Sequence, residues 1–330
     1  MSMIKPWKLI SLLFILQLLA GCESKLEQTQ VTITQGITKT QGDIDRLGQA
    51  IERGSVRNAR LLAEYAAVLK QQKPELTRIA NLIAEDATRQ GPLYQNLTMR
   101  LGDVQSETVT LENANALLDE ITRIQEAAKL SLFNDALTDP INVLADMSDG
   151  QLARVGAISQ MAEKSGGDGT DYGAGSQMVG NPNYGGWQSG SGGTSFWQWY
   201  GMYRMFGDLT NRVEYSNWSR NRRYSYYSDY GRSRYTSPKQ SVQQAAVETR
   251  TRKSFQRKGQ SFSSPYAKKR TGSAGLSRSS YTPTKTVSSY AKPKKSFTSS
   301  NKPASNKATS NTGSFRNSGS RTSRGVSRGK

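Results

Sequence analysis

"SVRNARLLAEYAAVLKQQKPELTRIANLIAEDATRQGP", residues 55–92, decides the fold class of this 330-residue chain. Leu61, Leu62, Tyr65, Val68 and Leu69 recur every three to four positions, the spacing of one helical face. Ser55 stands where such a helix needs a cap. Pro74 suits the first turn of a following helix, whose face carries Leu76, Ile79, Leu82 and Ile83, and Gly91-Pro92 ends it. Upstream, Ile33, Ile37, Ile44, Leu47 and Ile51 form another stripe, with Thr40 filling one position. Downstream, Leu97, Leu101, Val104, Leu111, Leu118, Ile121 and Ile124 predict one long helix from about Leu93 to Phe133. Asp139-Pro140 and Ser148 read as starts of two short helices. Over residues 25–165 no period-2 alternation is sustained and β-branched clusters are few, so strand signals are absent there.

The expected fold class is therefore all-α. The stripes over residues 22–165 need partners, which an antiparallel helical bundle or a coiled-coil hairpin supplies. The 18-residue step from Pro74 to Pro92 invites a helical-repeat reading, but only one such step is visible and repeats need three or more copies. This body is long enough to bury a core of its own. Its adjacent acids, Glu85-Asp86 and Asp119-Glu120, point about 100° apart on a helix and do not converge on one atom. They read as a solvated face.

Charge divides the chain unevenly. The net charge is +19, yet residues 212–330 hold 27 of the 45 Lys and Arg and only three acids. The rest is mildly acidic. There is no histidine and one cysteine. That excludes imidazole acid–base chemistry, an internal disulfide and a Cys/His zinc cluster. No nucleophile–base set, phosphate loop or metal motif is present, so neither an enzyme nor a cofactor is expected.

The lone cysteine lies in "MSMIKPWKLISLLFILQLLAGC", residues 1–22. Lys5 and Lys8 form a positive start, and the apolar run from Leu9 to Leu19 is shorter than the roughly 20 residues a bilayer span needs. It has the form of a signal peptide. Leu19-Ala20-Gly21-Cys22 resembles the lipobox of bacterial lipoprotein precursors. The resemblance covers these 22 residues and implies removal of residues 1–21, a diacylglycerol on the Cys22 thiol and an acylated new amino group. Two or three acyl chains make a stable membrane anchor. Glu23, rather than the Asp associated with inner-membrane retention, implies the outer membrane, with the chain facing the periplasm.

Residues 166–195 read as a flexible linker, with 11 glycines between residues 166 and 193. Within it "GGDGTD", residues 166–171, matches the opening of a calcium-binding nonapeptide. The large apolar residue required at the eighth position is Gly173, and a single copy cannot stack.

Residues 196–235 form an aromatic block. Trp197, Trp199, Tyr200, Tyr203 and Phe206 are candidate contact residues, with three open readings: docking on the bundle as a short helix, lying on a membrane surface, or meeting a partner protein. The block resembles in composition an aromatic and Met-rich segment of YgiB-like enterobacterial lipoproteins, also followed by a Ser-rich tail. Then Arg220, Arg222, Arg223, Arg232 and Arg234 alternate with tyrosines, as in polyanion-binding surfaces.

Residues 236–330 are rich in Ser, Thr, Lys and Arg and poor in aliphatics, so a disordered basic tail is expected. Lys268, Lys269, Arg270, Lys292, Lys294 and Lys295 complete the candidate polyanion-binding set. The expected partners are the membrane, through the acyl chains, and an anionic envelope polymer such as peptidoglycan or lipopolysaccharide. The alternative is an adaptor or sensor whose helical domain binds another protein while the tail is a passive spacer. Specific nucleic-acid binding is not expected in that compartment.

Overall fold

The computed structural model describes residues 6–156, 172–190, 194–208, 210 and 212–267, and the side chains among these from residue 25 onward. The stripes become helices α1 (Pro6–Glu52), α2 (Arg57–Gln72), α3 (Thr77–Ala84), α4 (Pro92–Ser106), α5 (Ala114–Ala128), α6 (Leu130–Ala136) and α7 (Thr138–Met147). Helices α4 and α5 pack on each other and on α1, while α2 packs on α3 and α7. The stripe residues Ile33, Ile44, Leu47, Leu61, Leu62, Leu69, Ile83, Leu97, Leu101, Ile121 and Ile124 are all buried. Each such side chain contributes about 1.5–3 kcal/mol by leaving water. Thr40 keeps its place in the α1 stripe because its hydroxyl is satisfied. It donates to the Gly36 carbonyl at 2.7 Å and accepts from Gln125 Nε2 at 3.0 Å.

The expected single helix from Leu93 to Phe133 is three helices. Between α4 and α5, the Thr110 amide donates to Asn113 Oδ1 (2.8 Å) and Asn113 Nδ2 donates to the Thr108 carbonyl (2.9 Å). Short polar side chains here take backbone partners that a helix would have used. The turn folds α5 back along α4. A second break falls at Lys129, whose backbone is extended.

The all-α expectation is overturned by residues 172–214. Strands β1 (Gly185–Ser189) and β2 (Ser195–Trp199) form a two-stranded antiparallel sheet, with Trp187 opposite Trp197. A 3₁₀ run, Gly201–Asp208, follows. Helix α8 (Tyr215–Asn221), a π turn (Tyr227–Gly231), helix α9 (Arg232–Tyr235) and helix α10 (Pro238–Arg257) complete the described chain.

These later elements share one hydrophobic core with the helices. Tyr172, Met178, Val179 and Tyr184, in the stretch read as a linker, are buried in it. So are Trp197, Trp199, Tyr203, Phe206, Tyr226, Tyr227 and Tyr235. Glycine makes the approach possible at Gly180, where φ is +89° and a Cβ would lie 2.7 Å from the Trp218 ring. At Gly185 a Cβ would meet the Gln198 carbonyl oxygen at 2.5 Å. The motif GGDGTD lies outside the described residues. No helix among the described residues is long and apolar enough to cross a membrane.

Buried polar bonds stitch the two parts together. Asp139 at the start of α7 accepts from the Tyr226 amide (2.7 Å), the Tyr227 amide (3.0 Å) and the Ser225 hydroxyl (3.2 Å). Burial still pushes its pKa up to about 7, outweighing these three donors, which favour the carboxylate. The Tyr235 hydroxyl donates to the Ala127 carbonyl at 2.9 Å. The solvated-face reading of the acid pairs fails at one member of each. Glu120 is buried and takes Arg100 Nε at 2.6 Å, while Arg100 Nη1 donates to the Arg234 carbonyl. Asp86 is fully buried, accepts from the Tyr184 hydroxyl at 3.0 Å and has its pKa raised by burial.

Candidate functional site

Helix α10 was expected as tail. Its start is well specified: Ser237 Oγ accepts from the Gln240 amide (3.2 Å), Gln240 Oε1 accepts from the Ser237 amide (2.9 Å), and Pro238 sits at the first helical position. Its inner stripe is Gln244, Val247, Thr251 and Phe255, all buried. Only two of these four are apolar, so the stripe escapes a hydrophobicity reading. The cap in "SPKQ" is the signal that finds this helix.

The opposite side of α10 is cationic. Arg250, Lys253 and Arg257 are exposed and follow i, i+3, i+7 spacing, which keeps them within about 60° around the helix. Gln256 lies among them. Arg250 Nη1 donates to Ser189 Oγ at the end of β1. On the flank, Arg252 pairs with Glu248 at 3.2 Å. The three cations lie on a rigid rod, so a polyanion meeting them loses less conformational entropy than one gripping a flexible chain.

The arginines singled out from the Arg/Tyr block are mostly structural. Arg222 is buried, pairs with Asp229 at 2.6 Å and donates to the Pro265 carbonyl at 2.5 Å. Arg223 is buried. Arg232 lies 3.8 Å over the Tyr266 ring and donates to Gln244 Oε1 at 2.8 Å. Arg234 is half-buried and donates to the Tyr230 carbonyl at 2.9 Å. Arg220 alone of the five is exposed, with its guanidinium 4.7 Å over the Phe255 ring. The block therefore does not converge into one cationic face. Lys268, Lys269, Arg270, Lys292, Lys294 and Lys295 lie outside the described residues, as does the side chain of Cys22.

Of the aromatic candidates, Trp197, Trp199, Tyr203 and Phe206 are core residues and only Tyr200 is exposed. They dock on the helical body as a strand and a 3₁₀ run, where a short helix was expected. Beside them, a groove of about 300 Å³ runs between the β1–β2 hairpin and α10. Trp187, Trp197, Tyr200 and Gln188 line one side, and Gln243 and Arg250 the other. Among the described residues no group of His, Cys, Asp or Glu is placed to hold a metal ion. No family model, no curated protein and no solved structure matches the chain.

Proposed function

We propose that this is a non-enzymatic lipoprotein of the bacterial envelope, held at the outer membrane by acyl chains on Cys22 and facing the periplasm, where it binds an anionic envelope polymer. The observation that carries the binding is the stripe of Arg250, Lys253 and Arg257 on a capped helix, continued by the basic residues that follow in sequence. Peptidoglycan carboxylates and lipopolysaccharide phosphates are the anions such a surface meets there. Binding would be driven by charge and counterion release, and would weaken steeply with salt. The Leu19-Ala20-Gly21-Cys22 motif supports the anchor.

The test is co-sedimentation of the full chain with purified cell wall, and titration with lipopolysaccharide, at several salt concentrations. Replacing Arg250, Lys253 and Arg257 by Gln is expected to weaken binding and flatten its salt dependence. Binding that is absent at low salt, or unchanged in this variant, overturns the reading of α10. For the anchor, Cys22→Ser is expected to leave an unprocessed chain without acyl label, and normal processing would refute it.

A further inference from the structure

The groove between the β-hairpin and α10 differs from the stripe beside it. Arg250 is its one charged residue and no acid lines it. Four glutamines line it: Gln240 and Gln244 are engaged by Ser237, Arg232, Gly180 and Tyr227, while Gln188 and Gln243 are exposed, and the rings of Trp187 and Tyr200 lie beside them. Amides donate and accept at once, which matches hydroxyl groups that also do both. The Tyr200 phenol, protonated at neutral pH like any ordinary tyrosine, can donate a hydrogen bond as well as accept one.

The ring surfaces are held in place. Trp187 packs edge-on against Trp197 at 5.1 Å and against Tyr215 at 4.8 Å. Such a cluster is ordered before any ligand arrives, which lowers the entropy lost on binding. Glycine keeps the hairpin side thin. A Cβ at Gly186 would lie 2.3 Å from the Tyr200 hydroxyl, so any other residue there displaces Tyr200.

We propose that this groove binds an uncharged stretch of oligosaccharide, with sugar C–H faces on Trp187 and Tyr200 and hydroxyls on Gln188 and Gln243. A volume of about 300 Å³ is at the small end for ligand sites, which suits a short segment of a longer glycan. The proposal extends the envelope-polymer reading, because Arg250 borders both the groove and the cationic stripe.

The test uses the full chain in a detergent without sugar head groups. It is titrated with chitotetraose, which represents an N-acetylated amino-sugar strand, and with maltotetraose, which represents a plain hexose strand. Tryptophan fluorescence is the readout, at low and high salt. The expected result is saturable binding of one of the two with no salt dependence, weakened about tenfold by Tyr200→Ala and by Gln243→Ala, as for loss of one contact. The variant Lys253→Gln/Arg257→Gln should bind the neutral sugar as well as the parent does. The stripe can therefore fail its own salt-dependent test while the groove passes this one, and the reverse. Failure of both oligosaccharides to bind overturns the proposal, as does binding that neither groove variant weakens. Displacement of the sugar by a short neutral peptide would assign the groove to peptide instead.

Discussion

Residues 25–156 and residues 172–267 share one core but fill it by different means. The first region buries Leu, Ile, Val and Ala along helices at regular spacing. The second buries Tyr and Trp on short elements, lets rings approach backbone at Gly180 and Gly185, and neutralises buried polar groups in pairs such as Arg222–Asp229. Aliphatic burial is local in origin, because a periodic stripe predicts its own inward face. Aromatic burial here is in part reciprocal: Tyr184 is received by the distant Asp86 carboxylate and Tyr235 by the distant Ala127 carbonyl. The same Arg/Tyr composition on a surface would read identically in sequence.

The sharpest way to break this contrast is to separate the regions. A chain ending at residue 165 leaves the faces of α5 and α7 that pack against Tyr235, Tyr226 and Tyr227 open to water. It should lose the cooperative thermal transition of the full chain by circular dichroism while keeping part of its helical signal. An equally sharp transition would show that the helical region stands alone.

Next in size is Asp229→Ala. It strands the Arg222 guanidinium in the core, and removing one partner of a buried pair costs about 3–5 kcal/mol. Urea unfolding measures it. A loss below about 1 kcal/mol would mean that water reaches the pair, in the range of exposed ion pairs.

Gly180→Ala tests the ring-to-backbone packing. The positive φ and the 2.7 Å approach to Trp218 lead us to expect a loss of about 1–3 kcal/mol. An alanine tolerated without loss would show that the Trp218 ring has room to shift.

A smaller effect should follow pH. Asp135 has its pKa raised to about 7 by burial, against the pull of the Asn134 side chain and the Arg234 charge, and Asp139 is raised to about 7 likewise. The folded chain thus holds these protons where the unfolded chain releases them, from an ordinary value of 3.8 upward. Their contribution to stability is full below that value and is lost as pH climbs to about 7. Asp135→Asn should flatten the fall in urea midpoint between pH 4 and 7. An unchanged pH profile would remove Asp135 from this account.

Smallest of all, Arg252→Ala removes an exposed guanidinium that pairs with Glu248 on α10 and lies over the Phe262 ring, and should change stability by less than about 0.5 kcal/mol. A larger loss would show that its stacking over Phe262, at 5.9 Å, holds the end of the helix.

By itself the sequence determined the helical region: its faces, the breaks at Pro74 and Gly91-Pro92, and the place of Thr40 within a stripe. It also determined the lipobox motif, where a short run of residue types is the whole signal. The cap in "SPKQ" is a local signal too, but the tail composition outweighs it in a reading of the sequence, and the structure is what shows the helix that carries Arg250, Lys253 and Arg257. Tertiary structure alone decided the rest. Where Leu111 was read as part of one helix, Thr108, Thr110 and Asn113 turn the chain, and Leu111 is exposed. Glycines that read as a hinge are the positions where rings meet backbone. Three of the arginines that read as a binding surface, Arg222, Arg232 and Arg234, are ion-paired or hydrogen-bonded within the fold. The physical reason is that helical periodicity is written into neighbours three and four residues apart. The burial of Asp139 and of Arg100 depends on partners 86 and 134 positions away, Ser225 and Arg234, which no local pattern records.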